Sequence, residues 1–319
     1  MSRRNCLALF SMALFAVVST PVQAALIAEW LLDETDISLG TTVAVDTTGN
    51  WNGAYLDGSF FASGTATSVS GYDGTPNSAV HFNKDAFIEI NNPGVYAVPD
   101  DPSSAIIQKG GILPKVPGQD WMVDLWVKFD QNPAPPQTLW SESLPGNAGP
   151  TMQLQFFATH LLFNFDCPGK PLVDPEVEPP GGYETNIWYY VAAVYKAAEP
   201  GLDANGDPDE NGANILAPGT EYLYVYDGTT VFQDQVDAPF SHIDTPVGIQ
   251  YLGTNDRFRF PGTSLGDRPN SAALDNVTIY DTAFDPNSFL VNDLGIPEPA
   301  SLTVLGFGGL LLAKRRQRV

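Results

Sequence analysis

The sequence predicts an all-β fold for residues 25–290, a two-sheet antiparallel sandwich, with a barrel as the alternative. Two observations carry this prediction. More than ten short runs either alternate in polarity or are rich in aromatic and β-branched residues, and Gly and Asn turns separate them. No stretch of this body shows the sustained 3.6-residue periodicity of an amphipathic helix. The 29 glycines and 27 prolines of the chain suit a fold made of strands and turns.

The clearest strand runs from Trp121 to Phe129. Its odd-numbered residues are apolar and share one face, whereas Asp124, Trp126 and Lys128 point the other way, which predicts a half-buried strand. The runs 188–195 and 221–227 would form a hairpin but for the long insertion between them. The other predicted strands are 26–32, 41–46, 53–57, 78–82, 87–90, 152–156, 231–236, 248–253 and 273–280.

Residues 1–24 have the three parts of a secretory signal peptide. Arg3 and Arg4 form the charged start, an apolar run follows, and small residues lead to Ala24, after which we expect cleavage. The general secretory route is predicted, with the twin-arginine route as the alternative.

Residues 291–319 form a second targeting segment. It contains, in order, a Pro-Glu-Pro motif, a short apolar run and a terminal basic cluster: Pro297, Glu298 and Pro299, then residues 300–313, then Arg315 and Arg316. The apolar run by itself is a marginal membrane-spanning helix, because crossing a bilayer takes about 20 residues, and a buried core helix is the alternative. The order of the parts closely resembles the PEP-CTERM sorting signal of Gram-negative bacteria. The resemblance implies transient anchoring in the inner membrane, processing by an exosortase-type enzyme, and release to the cell surface or extracellular matrix.

The charge of the chain limits the classes of partner that it can bind. With 37 acidic and 15 basic residues, its net charge is −22. Such a charge argues against nucleic acid or an anionic membrane surface as a partner, and it favours divalent cations. The chain has two cysteines, and one of them lies within the signal peptide, so no disulfide framework is expected.

Seven short sequence segments follow one another along the body: 28–34, 45–50, 78–82, 121–129, 188–192, 222–228 and 274–280. The order of these segments resembles that of the laminin-G-like, concanavalin-A-like jelly roll, a superfamily whose members bind glycans or proteins and include some glycanases. The resemblance also implies a structural Ca²⁺ held by Asp46, Asn50 and Asp275. Carboxylates that cap turns are the alternative for these residues.

A separate calcium site is predicted in the insertion 196–220. Oxygen-bearing side chains alternate there at Asp203, Asn205, Asp207 and Asp209, and such ligands can converge on one Ca²⁺. The match to an EF-hand loop is partial, since Pro208 replaces the expected glycine. A solvated acidic loop is the alternative.

Five aromatic residues are candidates for binding a glycan, because flat rings stack on the apolar faces of sugars. They are Tyr222, Tyr224, Tyr226, Trp126 and Trp188. The alternative is that tyrosine is simply a good strand former and is often half-buried.

Two segments match catalytic motifs only in part. Residues 262–266 match a nucleophile elbow, but no helix start and no later histidine follow them. Residues 34–37 resemble the front of a paired-carboxylate motif but lack its second glutamate. The sequence therefore predicts a non-enzymatic, exported protein that binds glycan or exopolysaccharide with the help of calcium. The alternatives are a structural biofilm or surface protein without a specific ligand and a divergent glycanase.

Overall fold

The computed structural model describes residues 25–57, 64–83, 86–90, 112, 120–130, 137–143, 151–157, 159–166, 174–197, 219–238, 249–253 and 271–283. Every regular element within these ranges is a β-strand, which confirms the predicted all-β class. The strands are β1 Leu26–Trp30, β2 Val43–Ala44, β3 Gly53–Asp57, β4 Thr65–Val69, β5 Ala79–Asn83, β6 Ala86–Ile90, β7 Trp121–Phe129, β8 Gln137–Ser143, β9 Thr151–Phe157, β10 His160–Asp166, β11 Glu176–Val177, β12 Trp188–Lys196, β13 Thr220–Tyr226, β14 Val231–Asp237, β15 Ile249–Leu252 and β16 Ala272–Tyr280.

The strands form two antiparallel sheets of eight strands each. Sheet A has the order β14-β13-β12-β7-β16-β5-β4, and β1 pairs with the remaining part of β16. Sheet B has the order β11-β10-β9-β8-β15-β6-β3-β2. The predicted two-sheet sandwich is therefore confirmed. Strands β12 and β13 also pair directly, from Tyr190 opposite Tyr226 to Lys196 opposite Thr220. They are the two runs predicted to form a hairpin across the long insertion.

The hydrophobic core lies between the two sheets and is rich in aromatic rings. Trp121 and Tyr195 of sheet A stack with their ring centroids 5.8 Å apart. Phe163 of sheet B meets Trp121 edge-on at 5.7 Å, and Trp140 lies 6.4 Å from the same ring. All four side chains are almost fully buried. Such rings bury large apolar areas, so this cluster fixes how the two sheets face each other.

The prediction that β7 is half-buried was wrong. Residues 121–127 are all buried, on both faces of the strand. Trp121, Val123 and Leu125 point into the sandwich core, as expected. Met122 and Trp126, on the other face, belong to a second apolar cluster outside the core. Polarity alternation identified which side chains share a face, but it could not show that both faces are covered.

Four strands were missed by the sequence reading: β4, β8, β10 and β11. Strands β4 and β8 are mainly polar, and β11 has two residues. Strand β10 has three consecutive apolar residues, Leu161 to Phe163, instead of a clean alternation. Their strand conformation depends on pairing with neighbours distant in the chain, which local pattern does not encode.

Strand β16 has an irregular register that shapes the outer face of sheet A. Along one edge it pairs first with β5 and then with β1. Its register with β7 shifts between Asp275 and Thr278, and Asn276 has a positive φ of 46°. Bulges of this kind re-aim side chains. Here Asp275 lies opposite Trp126 on β7.

Candidate functional site on the outer face of sheet A

All five aromatic residues predicted from the sequence lie on the face of sheet A that points away from the core, which we call the aromatic face. Tyr222, Tyr224 and Tyr226 alternate along β13 with the core residues Leu223 and Val225. Trp188 and Trp126 lie on β12 and β7 with the same outward parity. The sequence alternation therefore placed these side chains correctly, although they come from strands up to 100 residues apart (Trp126 to Tyr226).

The strand register arranges these rings in rows across the sheet. Tyr226 lies opposite Tyr190 on β12, and Tyr190 lies opposite Trp126 on β7. The rings of Tyr190 and Trp126 are 5.3 Å apart in an edge-on arrangement. Tyr222 and Tyr224 have nearly parallel rings, 6.1 Å apart and inclined by 6°. The result is an extended aromatic surface on a sheet face that would ordinarily be polar.

The sequence reading missed Tyr190, Tyr280 and Tyr72 as members of this surface. Tyr190 and Tyr280 have the same strand parity as the predicted residues, so alternation could have found them. Tyr72 lies in the loop before β5, and no local signal pointed to it. Its ring stacks on Trp126 with centroids 4.2 Å apart and planes inclined by 3°. Tyr72 is 36 % exposed, so it is one of the accessible rings of the cluster.

The loop that carries Tyr72 is fixed by Asp275. The backbone N–H of Tyr72 donates to Asp275 Oδ2 at 3.0 Å. Gly71 packs so closely here that a β-carbon would collide with Asp275 Oδ2 and Ser78 Oγ. Burial raises the pKa of Asp275 to about 7, the Tyr72 hydrogen bond opposes that rise, and the Asp73 and Asp33 carboxylates add to it. Asp275 thus positions the Tyr72 ring over Trp126.

Polar groups also lie among the rings. Tyr190 Oη donates to Asp124 Oδ2 at 2.6 Å, and both residues are buried. Lys128 places Nζ 4.8 Å from the centre of the Trp188 ring, a cation–π contact. Lys128 therefore places a hydrogen-bond donor beside an aromatic plane, whereas Asp124 and Asp275 are buried and bond to Tyr190 and the Tyr72 loop. A sugar, with an apolar face and a hydroxyl-bearing edge, needs such a donor beside a ring.

Access to the aromatic face is uneven. Trp126 and Tyr224 are only 8 % and 7 % exposed, so they support the surface from beneath. Trp188, Tyr222 and Tyr226 are partly buried. These three rings and Tyr72 are the ones through which a ligand would make contact.

Of the residues Asp46, Asn50 and Asp275, which the resemblance implies as a calcium site, Asp46 and Asp275 make separate sets of hydrogen bonds. Asp46 accepts hydrogen bonds within its own turn from the N–H groups of Thr48, Asn50 and Trp51, and from Glu29 N–H on β1. Burial alone would raise the pKa of Asp46, but these bonds, with one from the Thr48 hydroxyl, lower it overall. This is the geometry of a turn-capping carboxylate. Asp275 instead bonds to the Tyr72 loop.

No group of three or more His, Cys, Asp or Glu side chains in the described ranges could hold a metal ion. The acidic loop of Asp203, Asn205, Asp207 and Asp209 lies outside those ranges, so its calcium site stays a prediction. The signal peptide and the sorting segment, with Pro297, Glu298, Pro299, Arg315 and Arg316, also lie outside them. Within the described residues no helix is long and apolar enough to cross a membrane.

Neither a protein-family model nor a curated protein matches the chain. Several solved structures resemble it. Domain 4 of AbnA, a GH43 extracellular arabinanase from Geobacillus stearothermophilus in complex with arabinotriose, is 17 % identical with a TM-score of 0.48, covering 82 % of this chain and 95 % of that one. The botulinum neurotoxin serotype C1 binding domain is 12 % identical with a TM-score of 0.42, and the match covers 82 % of this chain and 49 % of that one.

A sialidase from Trypanosoma rangeli is 11 % identical with a TM-score of 0.39, covering 82 % of this chain and 31 % of that one. This chain therefore spans about half of the neurotoxin domain and a third of the sialidase. Identities and TM-scores this low carry no argument about ligand or activity.

Proposed function

We propose that the protein is an exported, non-enzymatic binding protein that recognises glycan through the aromatic face of sheet A. The observation that carries this proposal is the convergence of Trp188, Tyr222, Tyr226 and Tyr72 on one outward surface, with carboxylates and an ammonium group between the rings. Aromatic planes supply stacking, and the partly exposed Lys128 supplies a donor for sugar hydroxyls, while the buried Asp124 and Asp275 hold Tyr190 and the Tyr72 loop in place. A sheet face that only met water would gain nothing from such a surface.

The proposed destination rests on the two targeting segments predicted from the sequence. Residues 1–24 would direct export as a signal peptide, and the segment 291–319 resembles a sorting signal read by an exosortase-type enzyme. On this proposal the glycan is an exopolysaccharide at the cell surface or in the extracellular matrix of a Gram-negative bacterium. On this proposal the loop of Asp203, Asn205, Asp207 and Asp209 binds calcium, because a cation would offset the mutual repulsion of its carboxylates.

Retention of the purified protein on a panel of immobilised polysaccharides, first with calcium and then with chelator, tests this proposal. We expect retention on at least one glycan class, and weaker retention of Trp188→Ala. Trp51→Ala is the matched control, because Trp51 is also partly buried but packs against the sandwich core. Retention that Trp188→Ala leaves unchanged would refute the site.

Two results would favour the alternatives. No retention in either buffer would favour a structural surface protein without a specific ligand. Release of new reducing ends from a retained glycan would instead indicate hydrolysis. The first residues to replace would then be two buried carboxylates near Trp126: Asp124, two residues before it on β7, and Asp275, opposite it on β16.

A further inference from the structure

One end of the aromatic face carries a row of side chains that includes two bases. Thr67, His81, Ala273, Lys128 and Trp188 lie opposite one another on five neighbouring strands of sheet A. Each of them alternates with residues of the sandwich core, so all five side chains point outward. The strand register thus brings His81 and Lys128 to the same end of the face.

Lys128 is a base without an acidic partner in an acid-rich protein. The chain has 37 acidic and 15 basic residues, yet Lys128 forms no ion pair with a carboxylate in the described ranges. Its ammonium group lies instead 4.8 Å from the centre of the Trp188 ring. An ammonium group has three N–H donors, and a contact with a ring face leaves donors available for an anion.

The acid that follows Lys128 on the chain is bound to another residue. Asp130 lies two residues after Lys128, but its Oδ2 atom contacts His81 Nε2 on β5. His81 therefore keeps this carboxylate from neutralising the ammonium group. The side chains of His81 and Asp130 are 21 % and 37 % exposed, and Lys128 is partly exposed, so solvent reaches all three.

Lys128 lies between two accessible aromatic rings. Trp188 is directly opposite it on β12. Tyr72 lies on its other side, stacked on Trp126, which precedes Lys128 by two residues on β7. A sugar that stacks on either ring can bring a substituent of its own ring to Lys128 Nζ.

We propose that this end of the aromatic face binds the carboxylate of an acidic sugar, a uronic acid residue of the glycan, through Lys128 Nζ. The inference rests on the proposed function, because it names the class of glycan that the face binds. A carboxylate is favoured over a hydroxyl group because hydrogen bonds between charged groups are about twice as strong as neutral ones. The net charge of −22 opposes binding only weakly, since charges more than about 8 Å away are largely screened at physiological ionic strength.

Calorimetric titration with acidic polymers and their neutral esters tests this proposal. Polygalacturonate and alginate are each compared with the same polymer after esterification, which removes the negative charge and keeps the sugar ring. At pH 7 and about 0.15 M salt, we expect at least one acid to bind about tenfold more tightly than its ester.

Substitutions of Lys128 show whether its charge is the cause. Lys128→Met keeps an unbranched apolar side chain and should abolish the preference for the acid, whereas Lys128→Arg keeps the charge and should preserve it. Lys196→Met is the matched control. Lys196 is the other lysine in the described ranges, and it lies eight residues along β12 from Trp188, about 26 Å away. Its replacement should leave the preference unchanged.

A second pair of variants tests the positioning role of His81. His81→Ala frees the Asp130 carboxylate to pair with Lys128, so binding of the acid should weaken about two- to fivefold. Adding Asp130→Asn should restore it, a recovery that general damage to the fold would not give. Weakening that Asp130→Asn does not reverse would show that His81 does not act by holding Asp130.

The proposal is overturned if neither acid binds more tightly than its ester, or if Lys128→Met keeps the preference. Failure of the proposed function gives a different result. If the face binds glycan without reading its charge, acid and ester bind equally and Trp188→Ala weakens both. If the face binds no glycan at all, Trp188→Ala leaves every titration unchanged.

Discussion

Replacing Glu221 by Gln should stabilise the protein at neutral pH. Glu221 lies on β13 with no exposed surface, and neither of its carboxyl oxygens has a hydrogen-bond partner in the described structure. Burial, and secondarily the charge of Asp174, raise its pKa from 4.5 to about 9. The folded protein therefore holds Glu221 protonated at pH 7.5, whereas the unfolded chain releases that proton.

The sign and size of the effect follow from this difference. Because the folded pKa is the higher one, the stability associated with Glu221 is complete below about pH 4.5 and falls as the pH rises towards about 9. At pH 7.5, about three pH units above the unfolded pKa, the loss is about 4 kcal/mol at 1.36 kcal/mol per unit. Gln keeps the shape but does not titrate, so Glu221→Gln should recover about 2–4 kcal/mol there and almost nothing at pH 4.5.

Urea unfolding followed by tryptophan fluorescence, at intervals from pH 4.5 to 8.5, measures the free energy of unfolding. Glu184→Gln is the control, because Glu184 is an exposed glutamate on the loop before β12. Its difference from the unaltered protein should stay within about 0.5 kcal/mol at every pH. Parallel stability curves for the Glu221→Gln and unaltered proteins would show that the pKa of Glu221 does not change on unfolding.

Two further substitutions test the loops. Asp46→Ala should destabilise the protein by about 3 kcal/mol, because one buried carboxylate accepts five hydrogen bonds, and a loss under about 1 kcal/mol in urea unfolding would contradict that role. Gly71→Ala should displace the Tyr72 loop through collision with Asp275, cost about 1–3 kcal/mol, and weaken glycan retention. Gly74→Ala is the control: it strains a positive φ of 82° in the same loop, but the added β-carbon contacts no neighbouring atom. Glycan retention should therefore be unchanged in Gly74→Ala. Equal loss of retention in Gly71→Ala and Gly74→Ala would contradict the role of Asp275.

Much of the aromatic face could be predicted from the sequence, because strand parity is a local property. Tyr222, Tyr224 and Tyr226 must share a face if they lie on one strand, whatever the strand pairs with. Trp126 and Trp188 lie on the same face of the sheet as these tyrosines, because the register between β7 and β12 places their even-numbered residues opposite one another. The class of fold followed in the same way from many short alternating runs.

The contacts that complete the site could not be predicted, because they join distant parts of the chain. Tyr72 and Asp275 are 203 residues apart, and a loop and a bulge bring them together. Burial of polar residues is hidden from the sequence for a related reason. Gln153 and Gln155 alternate with core residues along β9, as solvent-facing residues do, and only the structure shows that they are buried.

The central claim, that the aromatic face of sheet A binds glycan, is tested most directly by calorimetric titration of the retained polysaccharide into Trp188→Ala and Tyr222→Ala proteins. Each substitution removes one accessible ring without emptying the core, so both proteins should unfold as the unaltered protein does. The account predicts at least about tenfold weaker binding for each, equivalent to about 1.4 kcal/mol. Affinities within about twofold of the unaltered protein, in both variants, would contradict it.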